Sequence, residues 1–237
     1  MAAKSGKSIS VVIPAYNEEG NISAVVQKSL KTLKKVSNDY EVVVVDDGST
    51  DKTGEIIGAI AKANKAVKVF YHGKNKGLGE ALKTGYTNAR KDFVFYIPAD
   101  GQISVEELPN FLQQADRADV VIGYHRKRAD PLKRKLKSAI YHFLLRMLFG
   151  LNFRLTTSSK LYRKKVLDSI RFEASSAFLE PEILFKAKKK GCRFAEVPIE
   201  HHPRTAGKSK GDSLTETART IYDLLRMWLL LRFRIRI

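Results

Sequence analysis

Two adjacent carboxylates, Asp46 and Asp47, close the apolar run Glu41 to Val45 and lead straight into Gly48-Ser49-Thr50-Asp51. Acids and hydroxyls at such a place can cap a following helix by accepting from its free backbone N–H groups. They can equally accept hydrogen bonds from a nucleobase edge or a ribose hydroxyl. A second group, Asp100-Gly101-Gln102, follows the run Phe93 to Ile97. A carboxylate with an amide oxygen two residues on suits a hard divalent cation, Mg²⁺ or Mn²⁺, which takes oxygen ligands and shares its shell with substrate phosphates. Asp-Gly is also an ordinary turn. The third group is Gly73-Lys74-Asn75-Lys76-Gly77-Leu78-Gly79. Its glycines permit close backbone approach ahead of a helix, whose N-terminus favours phosphate. It matches neither a P-loop nor G-x-G-x-x-G.

The elements around these groups alternate. Ile9 to Ile13, Glu41 to Val45, Val67 to Tyr71, Phe93 to Ile97 and Asp119 to Ile122 are short apolar runs that read as buried strands. Asn21 to Val36, with Ile22, Val25, Val26, Leu30 and Leu33 at helical spacing, reads as a helix. So do Thr53 to Ala63, Gly79 to Arg90 and Val105 to Ala115. This order predicts an α/β fold with a mostly parallel sheet and helices on both faces. Ligands then bind at the carboxyl ends of the strands. Tyr16-Asn17-Glu18 is a further polar cluster at such an end.

After Gly123 the texture changes. Residues 126 to 137 hold seven basic side chains and one acid, and Ser138 to Leu151 is then almost wholly apolar. Thr156 to Lys165 resumes a strand-like pattern. Leu179 to Lys190 reads as a helix stopped by Gly191, and Phe194 to Ile199 as a strand. Leu214 to Ile237 is helical, with Leu214, Ala218, Ile221, Leu225 and Trp228 along one face.

The formal charge of +18 lies in one half of the chain. Residues 1–120 carry 16 Lys/Arg and 15 Asp/Glu, whereas residues 121–237 carry 27 and 10. A basic face of that kind attracts nucleic acid, anionic lipid or phosphorylated substrates. No nucleic-acid motif accompanies it, so no nucleic-acid partner is expected. The single cysteine, Cys192, excludes an intrachain disulfide. MAAKSGKSIS lacks an apolar core, so no secretory leader is expected. No run approaches the roughly 20 apolar residues of a membrane span. A membrane contact should therefore be peripheral.

VVIPAYNEEGNI (11–22), EVVVVDDGSTDKT (41–53), NKGLGEALKTGY (75–86), ADGQ (99–102) and EVPIEHHPRTAGKSK (196–210) extend over most of the chain. Together they resemble the family-2 glycosyltransferases of the GT-A fold, within them the dolichol- or polyprenyl-phosphate mannose synthase-like branch. The resemblance implies a Rossmann-like GT-A catalytic domain over residues 1–212, with an acceptor and membrane-facing insert near 124–152. Residues 213–237 become a C-terminal amphipathic helix. It implies nucleotide-sugar contacts at Pro14, Ala15, Tyr16, Glu18, Asp46, Asp47, Lys76, Gly77, Ala99, Asp100 and Lys210. Asp100 and Gln102 become the metal ligands, for Mg²⁺ or Mn²⁺. The family's first metal-binding Asp is Pro98 here, which removes one carboxylate and leaves more of the shell to water. Arg126, Arg128, Arg134, Ser138 and Arg204 fall where the branch holds the acceptor phosphate. Asp100, Arg134 and Arg204 are the implied catalytic residues, and Lys208 joins the closing basic loop.

The implied reaction moves a hexose, mannose or glucose, from a GDP- or UDP-sugar to a polyprenyl phosphate. It would occur on the cytoplasmic face of a membrane, with an anionic surface as partner and with or without a separate anchor subunit. The apolar helices would lie in the headgroup boundary. Two alternatives differ in kind. One is a family-2 transferase with a soluble or cell-surface glycan acceptor. The other is a catalytically weak scaffold or a basic nucleic-acid-binding protein.

Overall fold

The computed structural model describes residues 6–125, 132–154, 159–200 and 214–232; the side chains of 132–137, 214–216 and 231–232 lie outside that description. In chain order the strands are β1 (Ile9–Ala15), β2 (Tyr40–Asp46), β3 (Val67–Tyr71), β4 (Phe93–Tyr96), β5 (Val120–His125), β6 (Lys160–Arg163) and β7 (Phe194–Ile199). The helices are α1 (Ile22–Val36), α2 (Thr53–Ala63), α3 (Leu78–Asn88), α4 (Leu108–Leu112), α5 (Leu132–Phe149), α6 (Lys164–Asp168), α7 (Leu179–Lys189) and α8 (Leu214–Arg232).

The seven strands form one sheet in the order β3-β2-β1-β4-β6-β5-β7. The pairs β1–β2, β1–β4, β2–β3 and β5–β7 are parallel. Strand β6 runs antiparallel to both neighbours, pairing Tyr96 with Lys160 on one side and Ile122 with Lys160 on the other. Successive strand residues point to opposite faces. Val11, Ile13, Val42, Val44, Phe95 and Val121 therefore join α1, α2 and α4 in one core layer. Val12, Val43, Val94, Tyr96, Val120, Ile122 and Tyr162 join α3, α5, α6, α7 and α8 in the other. Both faces are covered, so β1 and β2 read as unbroken apolar runs rather than alternating ones.

The structure differs from the sequence reading in four places. The expected helix over Val105 to Ala115 is instead a 3₁₀ turn, Val105–Glu107, followed by the short helix α4 that ends at Leu112: the Glu107 N–H reaches back three residues to the Ser104 carbonyl (3.2 Å) and the Leu108 N–H to the Val105 carbonyl. The short helix α6 was not read, since five residues give too little periodicity. Helix α5 begins at Leu132, so the basic run enters the helix instead of preceding it. In α8, Leu224 and Met227 are buried with Asp223, while Ile221, Tyr222, Leu225 and Leu229 are exposed. The expected single apolar face is thus two: Trp228 packs inward, whereas Ile221 and Leu225 do not. Helix α5 is similar: Leu145 and Phe149 are buried, and Ile140, Phe143 and Met147 are exposed. No helix among the described residues is long and apolar enough to cross a membrane.

Candidate functional site

The carboxyl ends of β1 and β2 carry two loops strapped to each other by side chains. Asn17 holds φ at 51°, the left-handed region that Asn tolerates better than most residues. That conformation turns the Asn17 N–H toward Ser49 Oγ (2.9 Å) and its Oδ1 toward the Thr50 N–H (2.7 Å). The Glu18 N–H donates to Thr53 Oγ1 at 2.8 Å, and the Lys52 N–H donates to Glu19 Oε2 at 2.9 Å. Glu18 Oε2 accepts from Asn21 Nδ2 at 2.8 Å. Backbone groups that would otherwise be unpaired are satisfied across the two loops, which fixes one relative to the other.

Asp46 and Asp47 are both buried and do different things. Asp46 Oδ1 accepts the Ser49 N–H at 2.9 Å, the helix-entry role open to it from its position. Its charge, after burial, raises the pKa of the Tyr71 phenol at the end of β3. Asp47 reaches the third loop. Its Oδ1 accepts the Lys76 N–H (3.0 Å) and its Oδ2 the Gly77 N–H (2.8 Å). His72 Nδ1 lies 2.7 Å from the same Oδ1, and His72 Nε2 lies 2.9 Å from Thr84 Oγ1 on α3. Gly48 lets the loops touch. Its φ is +72°, and a Cβ there would sit 2.4 Å from the Lys74 carbonyl carbon. The Asp47 carboxylate thereby clasps the Gly73–Gly77 loop to β2, and Gly77, at φ 97°, hands the chain into α3.

Asp100 lies on the same edge. The Ile97 N–H donates to the Val12 carbonyl at 3.1 Å, so the end of β4 runs beside β1. Gly101, at φ 71°, turns the chain, and the Gln102 N–H donates to Asp100 Oδ1 at 3.0 Å. No group of three or more His, Cys, Asp or Glu side chains among the described residues converges on a cation site. Asp100 and Gln102 are the two oxygen-bearing side chains of this turn, and a divalent cation held by them would take the rest of its shell from waters and phosphate oxygens.

The structure thus brings Ala15, Asp46, Asp47, Lys76 and Gly77 into one hydrogen-bonded constellation: the Asp47 N–H also donates to the Ala15 carbonyl at 2.8 Å. Pro14 pairs with Val45 within the sheet, Ala99 is buried, and Tyr16 and Glu18 are half-buried on this edge. Ser138 is half-buried on α5. Arg126, Arg128, Arg204, Lys208 and Lys210 lie outside the described residues, as does the side chain of Arg134. His72 and Thr84 were missed by sequence reasoning. The signal was available: His72 directly follows β3, the one strand of the first four whose polar end went unread.

A second polar group is buried in the core layer that holds α3 and α7. Glu180 on α7 pairs with Lys160 Nζ (2.7 Å) and accepts from the hydroxyls of Tyr86 (2.7 Å) and Tyr162 (3.0 Å). Burial first, and then the Glu180 charge, push both phenol pKa values well above their ordinary value.

The model of the family described as Glycosyl transferase family 2 matches residues 10–171. The undecaprenyl-phosphate 4-deoxy-4-formamido-L-arabinose transferase of Pectobacterium atrosepticum is 30% identical over 92% of this chain and 67% of its own length. Glycosyltransferase AglD of Haloferax volcanii is 28% identical over the whole chain but only 39% of its own length. The chain thus spans about two thirds of the first relative and well under half of the second. Among solved structures, glucosyl-3-phosphoglycerate synthase from Mycobacterium tuberculosis, in complex with Mn²⁺, UDP-glucose and phosphoglyceric acid, superposes with a TM-score of 0.73. It is 21% identical, with 94% of this chain and 80% of that one covered. S. aureus TarS (residues 1–349) in complex with UDP-GlcNAc gives a TM-score of 0.64 at 25% identity, covering 93% of this chain and 65% of that one.

Proposed function

The chain belongs to glycosyl transferase family 2 and is a glycosyltransferase of GT-A fold, and from that premise we propose that it moves a hexose from a nucleoside-diphosphate sugar to a polyprenyl phosphate at a membrane surface. The observation that carries the reading is the clasped constellation at the carboxyl edge of β1, β2 and β4. Three loops meet there around Asp47, on the same sheet edge as Asp100, the edge at which open α/β sheets bind nucleotides.

In this reading Pro14, Ala15, Tyr16 and Glu18 contact the nucleotide, Asp46 and Asp47 its base and ribose, and Lys76 and Gly77 lie beside it. Ala99 and Asp100 face the diphosphate, with Lys210 closing over it. Asp100 and Gln102 hold the divalent cation, Mg²⁺ or Mn²⁺, whose charge would offset that of the leaving diphosphate. Arg126, Arg128, Arg134, Ser138 and Arg204 hold the acceptor phosphate, where the Arg fork suits a bidentate grip. An acceptor phosphate oxygen bonds the anomeric carbon as the bond to the diphosphate breaks, and the nucleoside diphosphate leaves with that electron pair. The acceptor is already ionised near neutral pH, so no general base is needed and the anomeric centre inverts. The protein's contribution is position and charge, supplied by Asp100, Arg134 and Arg204.

The lipid acceptor is supported by the relative from Pectobacterium atrosepticum, whose name carries undecaprenyl phosphate. It is supported also by the exposed Ile140, Phe143 and Met147 of α5 and Ile221, Leu225 and Leu229 of α8, in the half of the chain that holds 27 Lys/Arg against 10 Asp/Glu. Apolar side chains beside basic ones suit an anionic bilayer surface, here the cytoplasmic leaflet, with or without a separate anchor subunit. Residues 1–212 then act as the catalytic domain and 213–237 as its interfacial helix.

A donor screen tests this. Polyprenyl phosphate in anionic vesicles is incubated with GDP- and UDP-hexoses, with and without Mn²⁺ or Mg²⁺. Sugar transfer to the lipid, dependent on the cation, is expected. Transfer to soluble glycans alone, with no flotation on vesicles, would overturn the lipid assignment and leave the transferase.

A further inference from the structure

Asp223 is out of character for its place in the fold. It is 6% exposed on α8, although its neighbour Tyr222 is 66% exposed. Buried carboxylates need donors, and Asp223 finds two in the backbone: Oδ2 accepts the Ser175 N–H (2.9 Å) and the Ser176 N–H (3.0 Å). The same two residues press on the start of α3. A Cβ on Gly79 would lie 2.4 Å from the Ser175 carbonyl carbon, the Ser175 oxygen and the Ser176 oxygen, so helix and segment touch backbone to backbone. Two residues earlier, Gly77 gives its N–H to Asp47. A continuous run of close contacts therefore joins α8, the 175–176 segment, the N-terminus of α3 and the loop clasped by Asp47.

The geometry points to Asp223 as a positioning residue that couples the outer face of α8 to the donor loop, an inference that rests on the transferase reading above. Ile221, Tyr222, Leu225 and Leu229 are exposed on the helix that carries Asp223, all within six residues of it. An anionic bilayer that seats this face fixes α8, and Asp223 passes the constraint to residues 175–176. Gly79 has no side chain to absorb a shift, so the α3 N-terminus and Gly77 follow. Rigid, close-packed contacts transmit small displacements because they leave no void in which to dissipate them. Coupling of this kind is reciprocal: bilayer binding tightens the nucleotide, and the nucleotide tightens bilayer binding by the same factor.

The experiment uses the full chain and measures UDP and GDP affinity in the presence of Mn²⁺, with and without phosphatidylcholine–phosphatidylglycerol vesicles, alongside vesicle flotation. Three variants join the wild type. Asp223→Ala removes the acceptor, Asp223→Asn keeps one oxygen for the two N–H groups, and Gly79→Ala breaks the contact with Asp223 intact. Wild-type nucleotide affinity is expected to rise about fivefold or more on vesicles, the usual scale of such coupling. Asp223→Ala and Gly79→Ala should still float and lose that rise, while Asp223→Asn keeps most of it. A wild-type rise retained in Gly79→Ala, or in a folded Asp223→Ala, would overturn the assignment. So would flotation of the wild type with no change in nucleotide affinity. Absence of nucleotide binding under every condition would instead remove the transferase reading, and this inference with it.

Discussion

Replacing Asp47 by Asn separates two roles that the sequence alone left open. If Asp47 serves mainly as the clasp of the Gly73–Gly77 loop, the change strikes the loop itself. The carboxylate takes the Lys76 N–H and His72 on Oδ1 and the Gly77 N–H on Oδ2. An Asn side chain can present its oxygen to only one side. With oxygen toward Lys76 and His72, an NH₂ group faces the buried Gly77 N–H at a position where 2.8 Å separated donor from acceptor. One charge-assisted hydrogen bond is lost and one buried donor is left unsatisfied, about 2 kcal/mol in all. That corresponds to about a 30-fold rise in the population of the opened loop. Native-state hydrogen exchange at the Lys76 and Gly77 amides reads this directly. Protection of those two amides should fall by about 30-fold, and affinity for UDP or GDP should fall with it. If the variant weakened nucleotide binding while both amides kept wild-type protection, the clasp argument would fail, and Asp47 would be a direct nucleotide contact only.

Three further outcomes are expected. Asp100→Ala should lower turnover in the lipid-phosphate assay by about 10²-fold or more, the scale seen when one preorganised electrostatic group is removed; near-normal turnover would exclude Asp100 from the chemistry. Gly48→Ala should cost about 3 kcal/mol and lower Tm by about 10 °C, since the left-handed backbone and the 2.4 Å overlap with Lys74 act together, so an unchanged calorimetric midpoint would refute the contact. The raised phenol pKa values of Tyr86 and Tyr162 favour the protonated folded state, so their contribution to stability is complete below about pH 10 and is lost as pH rises beyond it. Urea titrations of Tyr86→Phe should show a shallower alkaline decline than the wild type, and an equal slope would show that these phenols do not govern it.

Much of the donor side is legible in the sequence. Strands β1, β2 and β3 are β-branched apolar runs with polar ends, and α2 and β3 fall on the expected residues. Their carboxyl ends carry the site because a parallel sheet gathers them on one edge. What the sequence hid were polar groups that point inward. Asp223, Glu180 and Lys160 break the apolar periodicity by which buried faces are recognised, yet all three are buried. Their partners are backbone N–H groups of Ser175 and Ser176, or tyrosines up to 94 residues away, and no local pattern announces such pairings. Likewise the antiparallel sense of β6 depends on where the chain returns after α5, not on the four residues Lys160–Arg163.

The placement of β6 also dictates an order of construction. Strands β4 and β5 are consecutive in the chain, yet they are never neighbours, because β6 lies between them. Until Lys160–Arg163 leave the ribosome, β5 has nothing to join it to β4. The block β3-β2-β1-β4 meets no such delay: its strands lie within the first 96 residues and pair only with one another and with β6. A growing chain can therefore complete the Asp47 clasp while its basic half is still unanchored, and β6 is the keystone that later locks the two halves into one sheet.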